Sequence, residues 1–309
     1  MGMGIAIAAP GGYALDDAAL ERGIRRLEDQ GCLVHNYYEP AQKFQRFGGS
    51  DAARLAQLNA AASDPEVQVV MALRGSYGIS RILSSIDFAV MAASGKLFVG
   101  YSDFTAFHMA LMAKTGRISF AGPMFCDDFI RDEPVDFTLQ QFWNCIKGPS
   151  HLVTAKAQHN PQVDVRGTLW GGNLAMLTHL LGTPYFPQMD GGILFVEDVN
   201  EHPYRVERMM LQLLHAGVIG RQKAVVLGDF SLYRLTAQDN GYDFDAMLAF
   251  LRERLPVPVL TGLQFGHVRE RVTLPFGGQA HLVSDVDGFQ LRITDYPTLS
   301  GDWPCLPGK

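Results

Sequence analysis

The sequence predicts an α/β protein whose leading part is built on a mostly parallel sheet. Three observations predict it. Short apolar runs alternate with amphipathic stretches through about the first 125 residues, the pattern of βαβ units. The loops between them are short, as crossover connections allow. Two glycine-bearing loops follow apolar runs, and in such sheets ligand sites lie outside the carboxyl ends of the strands.

Taken in order, the strand candidates are Gly4–Ala9, Cys32–Tyr37, Val67–Leu73, Lys96–Gly100 and a run near Ile118–Ala121. Helical patterns separate them. In Asp16–Gln30, Leu20, Ile24 and Leu27 recur at spacings of four and three, and Asp51–Ala62 and Asp103–Lys114 behave alike. Between Asp127 and Pro161 the pattern loosens at Asp-Asp, Glu-Pro, Gly-Pro and Asn-Pro breaks, around one helix near Thr138–Ile146. From Gly167 a second unit begins, with a strand at Gly192–Asp198, a helix at Pro203–His215 and a strand at Ala224–Gly228. A helix at Phe244–Leu255, the apolar run Val259–Phe265 and short alternating strands complete it, before a loose tail from Pro297. The expected division is a nucleophile-bearing unit over residues 1–130, a connecting segment over 131–166 and a second unit over 167–309.

Composition narrows the function classes. Of 309 residues, 47% are hydrophobic and 19% charged, which suits a chain that buries a large core. The formal charge of −6 and the absence of a basic run argue against a nucleic-acid partner. The opening MGMGIAIAAPGGYALDD lacks the basic flank and apolar length of a secretory signal. No run of about 18 apolar residues occurs, so no membrane span is expected. Cys32, Cys126, Cys145 and Cys305 are scattered without a CxxC pair, as expected of reduced thiols in a cytoplasmic protein.

Four places could carry chemistry. Ser102 stands in KLFVGYSDFTAFHM, where an apolar run meets a helical pattern. A serine held at a strand-to-helix turn exposes its hydroxyl, as in a nucleophile elbow, although no glycine follows at the usual position. Serine is equally a preferred helix cap, so both readings stand. Arg74-Gly75-Ser76-Tyr77-Gly78 could present backbone amides to an oxyanion, or be a bare turn. Glu197-Asp198-Val199-Asn200-Glu201-His202 follows the strand ILFV, where its carboxylates could orient a histidine or cap the next helix. His267 follows a long apolar run and a glycine, whereas His108, His179 and His215 fall in helical patterns and His35 in a strand. Ser102, Glu197 and His267 each fall just beyond a predicted strand. They supply a hydroxyl, an acid and an imidazole base, the three groups that nucleophilic acyl transfer needs.

Six ordered stretches carry a resemblance: RGSYGISRILSSID, VGYSDFTAFHMAL, AGPM, GTLWGGNLAMLTHLLGTP, ILFVEDVNEHPYRVERMMLQLLHAG and PVLTGLQFGHVRERVTLPFG. In these the chain resembles the LD-carboxypeptidases (muramoyltetrapeptide carboxypeptidases) of murein recycling, cytoplasmic serine peptidases of Gram-negative bacteria. The resemblance implies a doubly wound N-terminal domain, a mixed C-terminal α/β domain, a site between them and a homodimer. It implies a triad of Ser102, Glu197 and His267, with an oxyanion hole from the amides of Asp103, Gly75 and Ser76. The family usually has two glycines in that loop, and Ser76 replaces the second. The implied reaction removes terminal D-alanine from the L-centre of meso-diaminopimelate in a murein tetrapeptide, without metal or cofactor. Arg74, Arg81, Trp170 and Asn173 are candidates for substrate contacts. The rival readings are an immunity-type hydrolase of aminoacyl-sulfamoyl adenylates, a non-catalytic peptide- or sugar-binding protein, and a metal amidase using Glu197, Glu201 and His202.

Overall fold

The computed structural model describes residues 2–299; the expected tail from residue 300 on, and Cys305 with it, lie outside them. The leading part forms strands β1 (Gly4–Ala8), β2 (Leu33–Asn36), β3 (Val69–Ala72), β4 (Leu97–Gly100) and β5 (Ser119–Ala121). They alternate with helices α1 (Asp17–Asp29), α2 (Asp51–Ser63), α3 (Ile79–Ile82), α4 (Phe88–Ala93) and α5 (Thr105–Thr115). Asp16 and Ser50 cap α1 and α2 through side-chain oxygens, which satisfies amides that the first turn leaves open. All five strands pair in parallel, in the order β5-β4-β3-β1-β2. They are short, and all but β2 are fully buried, as a sheet covered on both faces requires. The order reverses between β1 and β3, so their carboxyl ends open a crevice there.

The chain then forms α6 (Asp136–Lys147), β6 (His151–Lys156), β7 (Val163–Asn173), α7 (Leu174–Leu180), β8 (Ile193–Val199) and α8 (Pro203–His215). It continues through β9 (Ala224–Ser231), α9 (Phe244–Arg254), β10 (Val259–Leu260), β11 (Leu274–Phe276), β12 (Gln279–Ser284) and β13 (Gly288–Thr294). A seven-stranded mixed sheet results, in the order β10-β9-β8-β7-β12-β13-β6. Its β7-to-β10 portion is parallel, and its other pairs are antiparallel. The protein is thus α/β with two sheets, and its first sheet is parallel except at one edge, where β11 pairs antiparallel with β5.

Two features differ from the sequence reading. The segment over 131–166 contributes β6, which pairs with β13 along its whole length. In β6 the polar His151 is buried while Leu152 is 40% exposed, so its apolar alternation does not mark the inner face. The apolar run Val259–Phe265 is strand only at Val259–Leu260, because Gly262 and Gly266 then turn the chain at φ of +95° and +145°. No disulfide joins the cysteines among the described residues, and no helix among them is long and apolar enough to cross a membrane.

Candidate active site

Ser102 lies two residues past the end of β4, after Tyr101, and opens a 3₁₀ turn, Ser102–Phe104, that runs into α5. Its φ is +60°, a left-handed conformation that costs a non-glycine residue about 1–3 kcal/mol and turns its side chain out of the helix path. The hydroxyl is not spent on capping: neither the 3₁₀ turn nor α5 has a side-chain cap. Instead Ser102 Oγ lies 2.9 Å from His267 Nε2.

His267 does not sit at a strand end, as expected, but on the loop that follows β10. Its Nδ1 lies 2.8 Å from Glu197 Oε2. Facing a carboxylate, Nδ1 carries the hydrogen, so Nε2 is left to accept from the Ser102 hydroxyl. Burial disfavours a charged ring, but the hydrogen bond and charge of Glu197, with Asp127 and Asp198 beyond, outweigh it and raise the His267 pKa above its ordinary value.

Glu197 is fully buried and lies within β8, inside the expected strand Gly192–Asp198 rather than past the end of a strand closing at ILFV. The β8–β9 register slips between Val196 and Asp198, so Glu197 stands at a bulge, a device that re-aims a side chain. Its second oxygen accepts from Asn173 Nδ2 at 3.2 Å, and the same amide reaches Asp198 Oδ1 at 2.9 Å. Asp198, pushed up to about 6 by burial and then by the Glu197 charge, also receives the amides of Ala175 and Val199. A Cβ at Gly266 would stand 3.3 Å from Glu197 Cβ and 3.1 Å from Asp229 O, so glycine lets the histidine loop approach this closely.

The loop Arg74–Gly78 forms the opposite wall. A Cβ on Gly75 would meet Ser102 Cβ and Oγ at 3.0 Å. Ser76 adopts φ of +65°, a region in which glycine is at ease, and its hydroxyl accepts from Arg46 Nη2 at 2.9 Å. Among the described residues neither Gly75 nor Ser76 donates its amide to another backbone carbonyl, while the Gly75 carbonyl is held by Gly12 N at 2.8 Å. Asp103 ties this wall to the serine turn, its Oδ2 accepting from Ile79 N at 2.9 Å. Burial pushes its carboxyl up to about 7.

Around Ser102 and His267 lies a cleft of ≈ 710 Å³ with five arginines (Arg46, Arg74, Arg131, Arg269 and Arg271) and Asp127 in its lining. Arg74 is therefore at the site. Arg81 is engaged by Asp51 at 3.0 Å. Trp170 is fully buried and donates to Gln222 Oε1, and Asn173 backs Glu197; neither lines the cleft. His202 caps α8 through Nδ1 and pairs with Asp239 through Nε2, so both its nitrogens are engaged away from Glu197. His108 is buried between Ser119 Oγ and the Gly100 carbonyl, and burial lowers its pKa to about 4. Sequence reasoning missed Arg46, Asp127, Arg131, Arg269 and Arg271. Asp127 and Arg131 fall in the segment that read as irregular, and Arg46 and Arg271 carried no local signal.

Residues 5–122 match the LD-carboxypeptidase N-terminal domain, and residues 166–282 match the LD-carboxypeptidase C-terminal domain. The chain belongs to the LD-carboxypeptidase family. It is a serine-type carboxypeptidase hydrolase. A crystal structure of muramoyltetrapeptide carboxypeptidase from Oxalobacter formigenes is 53% identical and covers 96% of this chain and 100% of its own, with a TM-score of 0.92. The "Probable murein peptide carboxypeptidase" of Bacillus subtilis is 29% identical over 86% of this chain and 84% of its own. The microcin C7 self-immunity protein MccF of Escherichia coli is 27% identical over 89% and 87%. The chain's relatives thus include proteins named for a murein peptide and for self-immunity.

Proposed function

We propose that this LD-carboxypeptidase releases terminal D-alanine from a murein tetrapeptide by cleaving at the L-centre of meso-diaminopimelate, with Ser102, His267 and Glu197 as its triad. The observation that carries the reading is the bridge of His267 between Ser102 Oγ at 2.9 Å and Glu197 Oε2 at 2.8 Å. His267 takes the Ser102 proton as the hydroxyl attacks the carbonyl, and Glu197 holds the imidazolium that forms. The amides of Asp103 and of Gly75 or Ser76 receive the oxyanion. His267 then protonates the departing D-alanine, and water releases the acyl-enzyme through the same base. Arginines in the cleft suit the free carboxylates of such a peptide. The family resemblance adds the expectations of a cytoplasmic homodimer working in cell-wall recycling.

A second reading, hydrolysis of an aminoacyl-sulfamoyl adenylate, is favoured by the likeness to MccF. Mass spectrometry of purified protein with the tetrapeptide separates them. Loss of one alanine is expected, and Ser102→Ala or His267→Ala should lower the rate by at least roughly 10³-fold. Full activity in either variant rejects the triad. An intact tetrapeptide beside a cleaved adenylate rejects the substrate and leaves the triad standing.

A further inference from the structure

The cleft holds a pair of charges that the Ser102–His267–Glu197 relay does not use. Asp127 is the one carboxylate in its lining among the described residues; Arg271 is ion-paired with its neighbour Asp128 instead, and no ion pair within 4 Å involves Asp127 among them. One of its oxygens, Oδ2, accepts from the Tyr101 hydroxyl at 2.9 Å, and no protein donor meets Oδ1 among the described residues. Arg131 stands four residues on, beyond the π-helical turn Phe125–Phe129. Its Nε is fastened to the Asp127 carbonyl rather than to the carboxylate, and neither of its terminal nitrogens has a partner among the described residues. Each side chain is thus fixed at one atom and open at another.

Arg271 and His267 act on Asp127 only through space, and Arg131 acts likewise on Asp128, so neither open atom has an ion-pair partner among the described residues. The two open groups together complement a free amino group and a free carboxylate on one carbon. Their position is equally specific. The Tyr101 ring lies 5.1 Å from the His267 ring between centroids, and Asp127 is bound at its hydroxyl tip. Tyr101 thus joins the two, its ring against His267 and its hydroxyl on the Asp127 carboxylate. In diaminopimelate, the distal centre is four C–C bonds from the centre whose carbonyl is attacked, a reach of roughly 5–6 Å.

We propose that Asp127 and Arg131 bind the free amino and carboxyl groups at the distal D-centre of diaminopimelate and so select that residue at the scissile position. This rests on the tetrapeptide reading. Asp127 takes the ammonium, and Arg131 takes the carboxylate through its terminal nitrogens. Arg46 and Arg74, on the Ser76 side of the cleft, are left for the carboxylate of the leaving alanine.

The test compares kcat/KM on three tetrapeptides: the diaminopimelate form, the same peptide with its distal carboxyl amidated, and the lysine form, which keeps the ammonium and lacks the carboxylate. The unmodified enzyme should prefer the first by about tenfold to a hundredfold over the other two. Arg131→Met should bring those ratios to within about threefold of one. Asp127→Asn should lower all three values together and leave the ratio of free to amidated peptide in place. A merely structural role for Arg131 would depress every value and leave the ratios unchanged, which would overturn the proposal. Equal cleavage of all three by the unmodified enzyme would also overturn it, while the tetrapeptide reading stands. Release of no alanine from any of them rejects that reading and the proposal with it.

Discussion

At the scale of the single residue, Glu197 sets the working state of His267. Burial pulls the imidazole toward neutrality, and the Glu197 hydrogen bond and charge raise its pKa above the ordinary value. A base must be neutral to accept the serine proton, so kcat/KM should fall as pH drops through that raised pKa. Glu197→Gln keeps an acceptor for Nδ1–H but removes the charge. The acid limb of the pH–rate profile should therefore move to lower pH, while the rate at neutral pH falls by roughly 10²–10⁴-fold through lost orientation and lost imidazolium stabilisation. The stability sign agrees. A histidine with a raised folded pKa contributes stability that is complete below its unfolded value and is lost as pH rises through the folded one. Glu197→Gln should remove that contribution at low pH. An acid limb that stays in place in Glu197→Gln would mean that another group holds the imidazolium.

At the scale of the element, two tight turns face each other, and glycine sets the spacing between them. The serine turn after β4 and the loop after β3 meet where a Gly75 side chain would crowd Ser102. Gly75→Ala should lower kcat by about a hundredfold with little change in melting temperature, because the added methyl displaces the hydroxyl without opening the core. Ser76→Gly is the matching control. It relieves a left-handed serine, a gain of about 1 kcal/mol, and forfeits the Arg46 hydrogen bond, with activity kept within about threefold. Unchanged activity in Gly75→Ala would separate this wall from the chemistry. Elements were legible in the sequence where periodicity was strong. The helix expected at Pro203–His215 is α8 to the residue, and the expected first-sheet strands were long by one to three residues. The β8 bulge was not legible, since a register slip depends on the partner strand and leaves Glu197 looking like a strand-end residue. His267 was picked out by its glycine and apolar run, yet the carboxylate that holds it comes from β8, two strands away in the same sheet.

At the scale of the whole molecule, one segment joins the two sheets and carries the histidine. After β10 the chain passes His267, donates β11 to the edge of the first sheet, and returns through β12 to the second. Arg271 anchors it. This buried guanidinium donates to Asp128 in the first half of the chain and to the carbonyls of Gly266 and Val268, the two neighbours of His267. Stability and activity therefore run through one side chain and can be separated. Arg271→Met leaves the Asp128 carboxylate buried without its partner, at a cost of about 3–5 kcal/mol, and frees both carbonyls beside the histidine. Asp128→Asn in that background removes the stranded charge, so part of the lost denaturation midpoint should return. Activity should not return with it, because Gly266 and Val268 still lack their donor. Denaturant unfolding and tetrapeptide turnover measured on the single and double variants test this directly. Joint recovery of stability and turnover in the double variant would mean that Arg271 serves the fold alone. Recovery of stability without turnover would make it a positioning residue for His267, acting from the junction of the two sheets.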